Sequence, residues 1–122
     1  MPNLNTVELK AFVPAKDFER SKRFYQALGF TQAWSDDNLA YFHHGNVSFL
    51  LQNFYVEALA HNLMMHLLVE DVDAWHKKVT ASDLSQTFDV RVSQLKDQPW
   101  KMRDFTVHDP SGVLWYIAQN TD

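Results

Sequence analysis

The chain has 122 residues, 46% of them hydrophobic and 21% charged, which suits one globular domain with a buried core and not a disordered chain. It contains no cysteine, which excludes a disulfide framework, a thiolate metal site and a cysteine nucleophile. Fifteen acidic residues against 11 basic ones give a net charge of −4, without the basic face of a nucleic-acid binder, and the apolar runs are far shorter than the ~20 residues that cross a bilayer.

Residues 7–13 read as a strand, with Val7, Leu9, Ala11 and Val13 on one face and Glu8, Lys10 and Phe12 on the other. Pro14 ends it. Asp17 is a helix N-cap, since its carboxylate can accept the free N–H groups of the next turn, and Glu19 suits the positive end of the helix dipole. Phe18, Ser21, Phe24, Tyr25 and Leu28 follow at helical spacing, and Gly29 stands where a left-handed C-cap is wanted. Three strands are expected at 30–34, 39–43 and 47–53, separated by turn-forming residues at 35–38 and 44–46.

Residues 54–62 read as a connector with one helical turn, after which the pattern restarts. A strand is expected at 63–69. Asp71 and Asp73 can cap a helix carrying Val72, Trp75 and Val79 on one side. Residues 88–92 alternate as a strand, and 93–100 read as a loop. Two more strands, 102–107 and 113–119, flank the turn Asp109-Pro110-Ser111-Gly112, in which Asp accepts backbone N–H groups, Pro fixes φ and Gly permits positive φ. The order is therefore βαβββ twice, in units of about 5–54 and 62–120 within one domain spanning 1–122. Asp17 matches Asp71, and Gly45 matches Gly112. A small sheet with one helix on it buries only one of its faces. The other must pack on a second sheet or curl around a cavity, and an aromatic content of 14% supplies side chains to line one.

Several segments resemble one family. Val13-Pro14-Ala15-Lys16-Asp17-Phe18-Glu19-Arg20-Ser21 followed by Phe24-Tyr25-Gln26-Ala27-Leu28-Gly29-Phe30, then Val69-Glu70-Asp71-Val72-Asp73-Ala74, then Pro99-Trp100-Lys101-Met102-Arg103-Asp104-Phe105 and Asp109-Pro110-Ser111-Gly112, are similar to the signatures of the vicinal-oxygen-chelate superfamily of glyoxalases, bleomycin resistance proteins and dihydroxybiphenyl dioxygenases. The opening is most similar to the bleomycin-resistance branch. The resemblance implies an α+β fold of tandem βαβββ modules forming a cupped mixed sheet, in a homodimer with ligand cavities at the subunit interface.

The metal-dependent members hold a divalent ion with His, Glu or Gln on four strands. Counted from the helix-start aspartates and the Asp109 turn, those positions fall on Lys10, Phe49, Met64 and Tyr116. An ammonium repels a cation, Phe offers no lone pair, and a thioether prefers soft ions. The expectation is no metal, no cofactor and no catalytic residue. The cup would instead be a binding cavity of Lys10, Phe12, Trp34, Phe49, Met64, His66, Trp100, Arg103 and Tyr116. Trp34 and Trp100 would serve as ligand walls, and Arg103 would clamp a carboxylate or pair with a nearby acid. Tyr116 would donate to a ligand or fill the inner core, and His66 would bind, pack or carry a proton. Such walls suit a planar ligand, and the net charge favours a cationic aromatic drug.

The alternative is a metal-dependent lyase, isomerase or dioxygenase with shifted ligands such as Glu8, His66 and Gln52. A third reading is a module whose cup is filled core. Trp75 and Trp115 are expected to pack between helix and sheet, and His61 and His76 to be solvated. Residues 1–5 lack the basic start and apolar stretch of a signal peptide, so a cytoplasmic protein with no nucleic-acid or membrane partner is expected.

Overall fold

A computed structural model describes all 122 residues. In chain order the elements are β1 (Phe12–Pro14), α1 (Phe18–Leu28), β2 (Thr31–Ser35), β3 (Leu39–His44), β4 (Val47–Gln52), α2 (Glu57–Ala60), β5 (Met64–Leu68), α3 (Val72–Ala81), α4 (Leu84–Phe88), β6 (Lys96–Gln98), β7 (Met102–His108) and β8 (Leu114–Asn120). They form two four-stranded sheets, ordered β1-β4-β3-β2 and β5-β8-β7-β6. In each sheet the first strand runs parallel to the last and the remaining neighbours are antiparallel. The two halves thus share one topology, and the α+β architecture expected from the sequence is observed.

The helix signals act as read. The Asp17 carboxylate accepts the Arg20 N–H at 3.1 Å, and that of Asp71 accepts the Ala74 N–H at 3.0 Å. Gly29, at φ 127°, closes α1 by donating its N–H to the Tyr25 and Gln26 carbonyls. Phe18, Ser21, Phe24, Tyr25 and Leu28 all turn inward.

One apolar core of 22 buried residues draws on both halves. Its centre is Tyr25, whose ring lies 4.8 Å from Phe49 and 5.6 Å from Trp115. The Tyr25 hydroxyl donates to Asp109 Oδ2 at 2.5 Å and accepts from Trp115 Nε1 at 2.9 Å. The other Asp109 oxygen accepts the N–H groups of Ser111 and Val113. A helix of the first half is thereby bolted to the β7–β8 turn and to β8 of the second half. All three residues are buried, so each polar atom satisfies another that water cannot reach.

Three local expectations are corrected. The strand expected over 7–13 shrinks to Phe12–Pro14; β1 is an edge with one neighbour, and its backbone pairing ends where the Ala11 carbonyl accepts the Leu50 N–H. Residues 88–92 do not form a strand. Leu84 and Phe88, one helical turn apart, are both buried, and Phe88 meets the edge of Phe24 at 5.5 Å. That packing selects helix α4, which Asp83 and Asp89 bracket in left-handed conformations. The short edge strand β6 appears instead within the segment read as a loop, and Val92 keeps one isolated bridge to Val107.

Candidate functional site

Each sheet has one face in the core and one open face. On the first sheet, strand pairing aligns Trp34, Tyr41, Leu50 and Phe12 in a row across all four strands. Directly paired residues point to the same side, and this row lies opposite the core-facing row of Phe42 and Phe49. Phe12 is 56% exposed and Trp34 47%, so the row is an aromatic strip on the surface. A register shift between Gln32 and Trp34 accompanies Trp34's place in it. The second open face carries Met64 beside Leu114, then His66 beside Tyr116 and Thr106. The His66 and Tyr116 rings are nearly parallel, at 19° and 6.5 Å between centroids. Met64 and Leu68 stand exposed there.

A cavity of about 290 Å³ opens where β4 of the first sheet approaches β5 of the second, bounded by Val47, Ser48 and Phe49 of β4 and His66, Leu67 and Leu68 of β5. That is near the lower size of small-molecule sites, and most of its lining is apolar. A larger hollow, about 820 Å³, lies elsewhere, among Lys16, Asp17, Asp36, Asp37 and their neighbours at the start of α1. Its charged lining offers no wall for a flat apolar guest.

The structure therefore gathers Lys10, Phe12 and Trp34 on one open face, and Met64, His66 and Tyr116 on the other. Phe49 is 1% exposed and stacks on Phe42 at 5.5 Å and 13°, so it belongs to the core side of β4 and reaches only the cavity between β4 and β5. Its neighbours Ser48 and Leu50 take the open face. Arg103 also points the other way. Its guanidinium grips the Asp73 carboxylate of α3 at 3.0 Å and Asp97 at 3.2 Å, which makes it a helix-to-sheet tie and not a clamp for a ligand in the cup. Trp100 stands 61% exposed in the β6–β7 turn. Of the remaining aromatic residues, Trp115 is buried as expected. Trp75 packs against His44 at 5.1 Å between ring centroids. His76 is not simply solvated, because its ring sits on Phe105 at 4.8 Å and its Nε2 is 3.1 Å from the Ser93 carbonyl.

Two residues absent from the sequence expectation, Tyr41 and Ser48, also lie on the first open face. The Glu8 carboxylate accepts hydrogen bonds from Lys10 Nζ at 2.8 Å, from the Tyr41 hydroxyl at 2.7 Å and from the Ser48 hydroxyl. Led by the Lys10 bond, these donors hold its pKa down at about 2, and the carboxylate in turn raises that of Lys10. The alternation of Leu39, Tyr41 and His43 was the available signal for Tyr41.

The donors present do not suit the superfamily's divalent ion. The four counted positions supply an ammonium, a buried phenyl, a thioether and a phenol, and no three His, Asp or Glu side chains converge anywhere in the chain. Of the shifted set, Glu8 is already engaged by Lys10, and Gln52 lies on the first sheet while His66 lies on the second.

The sequence profile described as the Glyoxalase/Bleomycin resistance protein/Dioxygenase superfamily matches residues 4–117. No curated protein sequence matches. Among solved structures, a bleomycin-binding protein complexed with bleomycin superposes with a TM-score of 0.79 at 21% identity, covering 94% of this chain and 99% of that one. The bleomycin-binding protein of bleomycin-producing Streptomyces verticillus, complexed with copper(II)-bleomycin, gives 0.78 at 20%, with 98% and 99% covered. TnmS3, an antibiotic-binding protein from Streptomyces sp. CB03234, gives 0.76 at 22%, with 98% and 100% covered. These likenesses are of fold. No helix of the chain is long and apolar enough to cross a membrane.

Proposed function

Because the chain belongs to the glyoxalase/bleomycin resistance protein/dioxygenase superfamily, we propose that it is a binding protein that sequesters a planar aromatic small molecule, foremost a cationic drug of the bleomycin type, without a metal ion. Resistance would follow from mass action, not turnover. The observation that carries this reading is the surface row of Trp34, Tyr41, Leu50 and Phe12, two of whose large apolar side chains are about half exposed. A lone chain gains nothing from leaving such a strip in water; a flat guest stacked on it removes apolar area from solvent on both partners. The bleomycin-binding and antibiotic-binding neighbours on the same fold support the ligand class.

A homodimer fits the same facts. Phe12, Trp34, Met64 and Leu68 leave apolar surface on both open faces, and a second copy would close each into a cup. We take the domain to act as one unit over 1–122, with modules of about 5–54 and 62–120, in the cytoplasm, where a chain without cysteine has no need of an oxidising compartment.

The test is isothermal titration of bleomycin into EDTA-treated protein, with sedimentation to give the subunit count. Saturable binding to a dimer is expected. Flat heats for bleomycin and for a panel of planar aromatic cations would refute it. Elemental analysis showing stoichiometric Ni, Zn, Mn or Fe after dialysis would favour the metal-dependent reading instead.

A further inference from the structure

Residues 1–11 form neither helix nor strand, and the first backbone bond tying them to the sheet is the one from the Leu50 N–H to the Ala11 carbonyl. Packing does not hold them. Val7 is 99% exposed and Leu9 94%, so the side chains flanking Glu8 touch almost nothing. For residues 1–10 the sole hydrogen-bonded link to the sheet is the Glu8 carboxylate, received by the hydroxyls of Tyr41 and Ser48. Lys10 closes the ring around that carboxylate, and its ammonium also lies 5.3 Å from the Tyr41 ring centroid.

An ammonium and two hydroxyls aimed at one point make a receptor for a carboxylate. Tyr41 belongs to the aromatic row, directly paired with Trp34 and Leu50, so the receptor sits against the wall on which a flat ligand would lie. We propose that Lys10, Tyr41 and Ser48 form a carboxylate subsite of the ligand cup, and that Glu8 is its built-in occupant, displaced when an aromatic carboxylate arrives. The inference rests on the reading that the open face binds a planar ligand, and it adds a second class of guest to the cationic one: a ring system that carries an acid group gains this subsite, and one without it binds by its rings alone. The tether leaves room for displacement, since nothing but this carboxylate fastens residues 1–9, whereas Lys10 adjoins Ala11, which the Leu50 N–H ties to the sheet, and keeps its place against the Tyr41 ring. The receptor, when Glu8 leaves, regains an equivalent anion and no buried charge is stranded.

An occupant that fills the subsite most of the time weakens an incoming carboxylate in proportion to the fraction blocked. Glu8→Ala should therefore bind 2-naphthoate about tenfold more tightly than the unsubstituted protein, if Glu8 occupies the subsite about nine-tenths of the time. The neutral isostere 2-naphthamide should bind both equally. Adding Lys10→Met to Glu8→Ala should abolish the gain for 2-naphthoate. Tryptophan fluorescence titration of the three proteins with the two probes decides the matter. Equal or weaker 2-naphthoate binding by Glu8→Ala overturns the proposal. So does an equal gain for 2-naphthamide, which would mean that the segment only obstructs the face. If 2-naphthamide binds and the carboxylate shows no gain, the subsite alone is refuted; if neither probe binds any variant, the planar-ligand reading has failed with it.

Discussion

Replacing Tyr25 by Phe keeps the ring in the core and deletes one oxygen. That oxygen donates to Asp109 Oδ2 and accepts from Trp115 Nε1, and the residues involved are buried at 0%, 2% and 3% exposure. The ring contacts to Phe49 and Trp115 survive, so no cavity term arises. What remains are two stranded polar groups, a carboxyl oxygen and an indole N–H. Each buried orphan costs about 1–3 kcal/mol, more for a charged acceptor, so the sum is about 3 kcal/mol. Against a total of about 5–15 kcal/mol for an ordinary domain, that is a large share, and for a chain of this size it lowers Tm by roughly 10 °C. Urea unfolding of the two proteins, followed by far-UV circular dichroism, should show a lower midpoint with an unchanged slope. A loss below about 0.5 kcal/mol would refute the reasoning, because it would mean that the bolt between the halves is satisfied some other way.

Asp109 gives a pH prediction. Burial raises its pKa above the ordinary carboxyl range, against the pull of Tyr25 and the backbone N–H groups. The folded state thus holds the proton more tightly than the unfolded one. Its stabilising share is complete below the ordinary carboxyl pKa and is lost as pH rises through the folded value. The stability of the parent minus that of Asp109→Asn should therefore fall with rising pH in the acid range, as chemical melts at successive pH values will show. Gly112 adopts φ 95°, and a Cβ there would stand 2.5 Å from His61 Cδ2; Gly112→Ala should cost about 2 kcal/mol in the same assay, with ligand binding retained. Phe49→Ala should cost about 3–5 kcal/mol. Trp34→Ala, on the open face, should leave the melting midpoint within about 3 °C and lower the affinity for any planar ligand at least about tenfold.

The parts of the fold that local chemistry dictates were readable in the sequence. Asp17 and Asp71 mark helix starts because a free carboxylate is what an open helix end needs, and Gly29 marks an end because φ 127° suits glycine. The open face of the second sheet was also readable, through Met64, His66 and Tyr116. The first sheet was harder. Val47, Phe49 and Leu51 alternate with Ser48 and Leu50, so apolar residues occupy both parities of β4 and alternation cannot say which face is inside. The choice falls to Tyr25 and Trp115, distant in sequence, which meet Phe49 in the core. Arg103 sits in a strand whose two faces are both partly polar, and only the position of Asp73 on α3 shows which way it turns. At 88–92 a strand-like alternation yielded to the helical spacing of Leu84 and Phe88, because Phe24 offers a surface for that pair. The latch of Glu8 on Tyr41 and Ser48 joins residues 33 and 40 positions apart, a separation for which sequence pattern carries no signal.

The central claim is that flat rings, and no metal ion, hold the ligand. Titrating the protein with proflavine, a planar aromatic cation, in excess EDTA and following tryptophan fluorescence tests it most directly. The account predicts saturable quenching that EDTA leaves unchanged and that Trp34→Ala weakens. A flat titration, or saturation only after a divalent ion is restored, would contradict it.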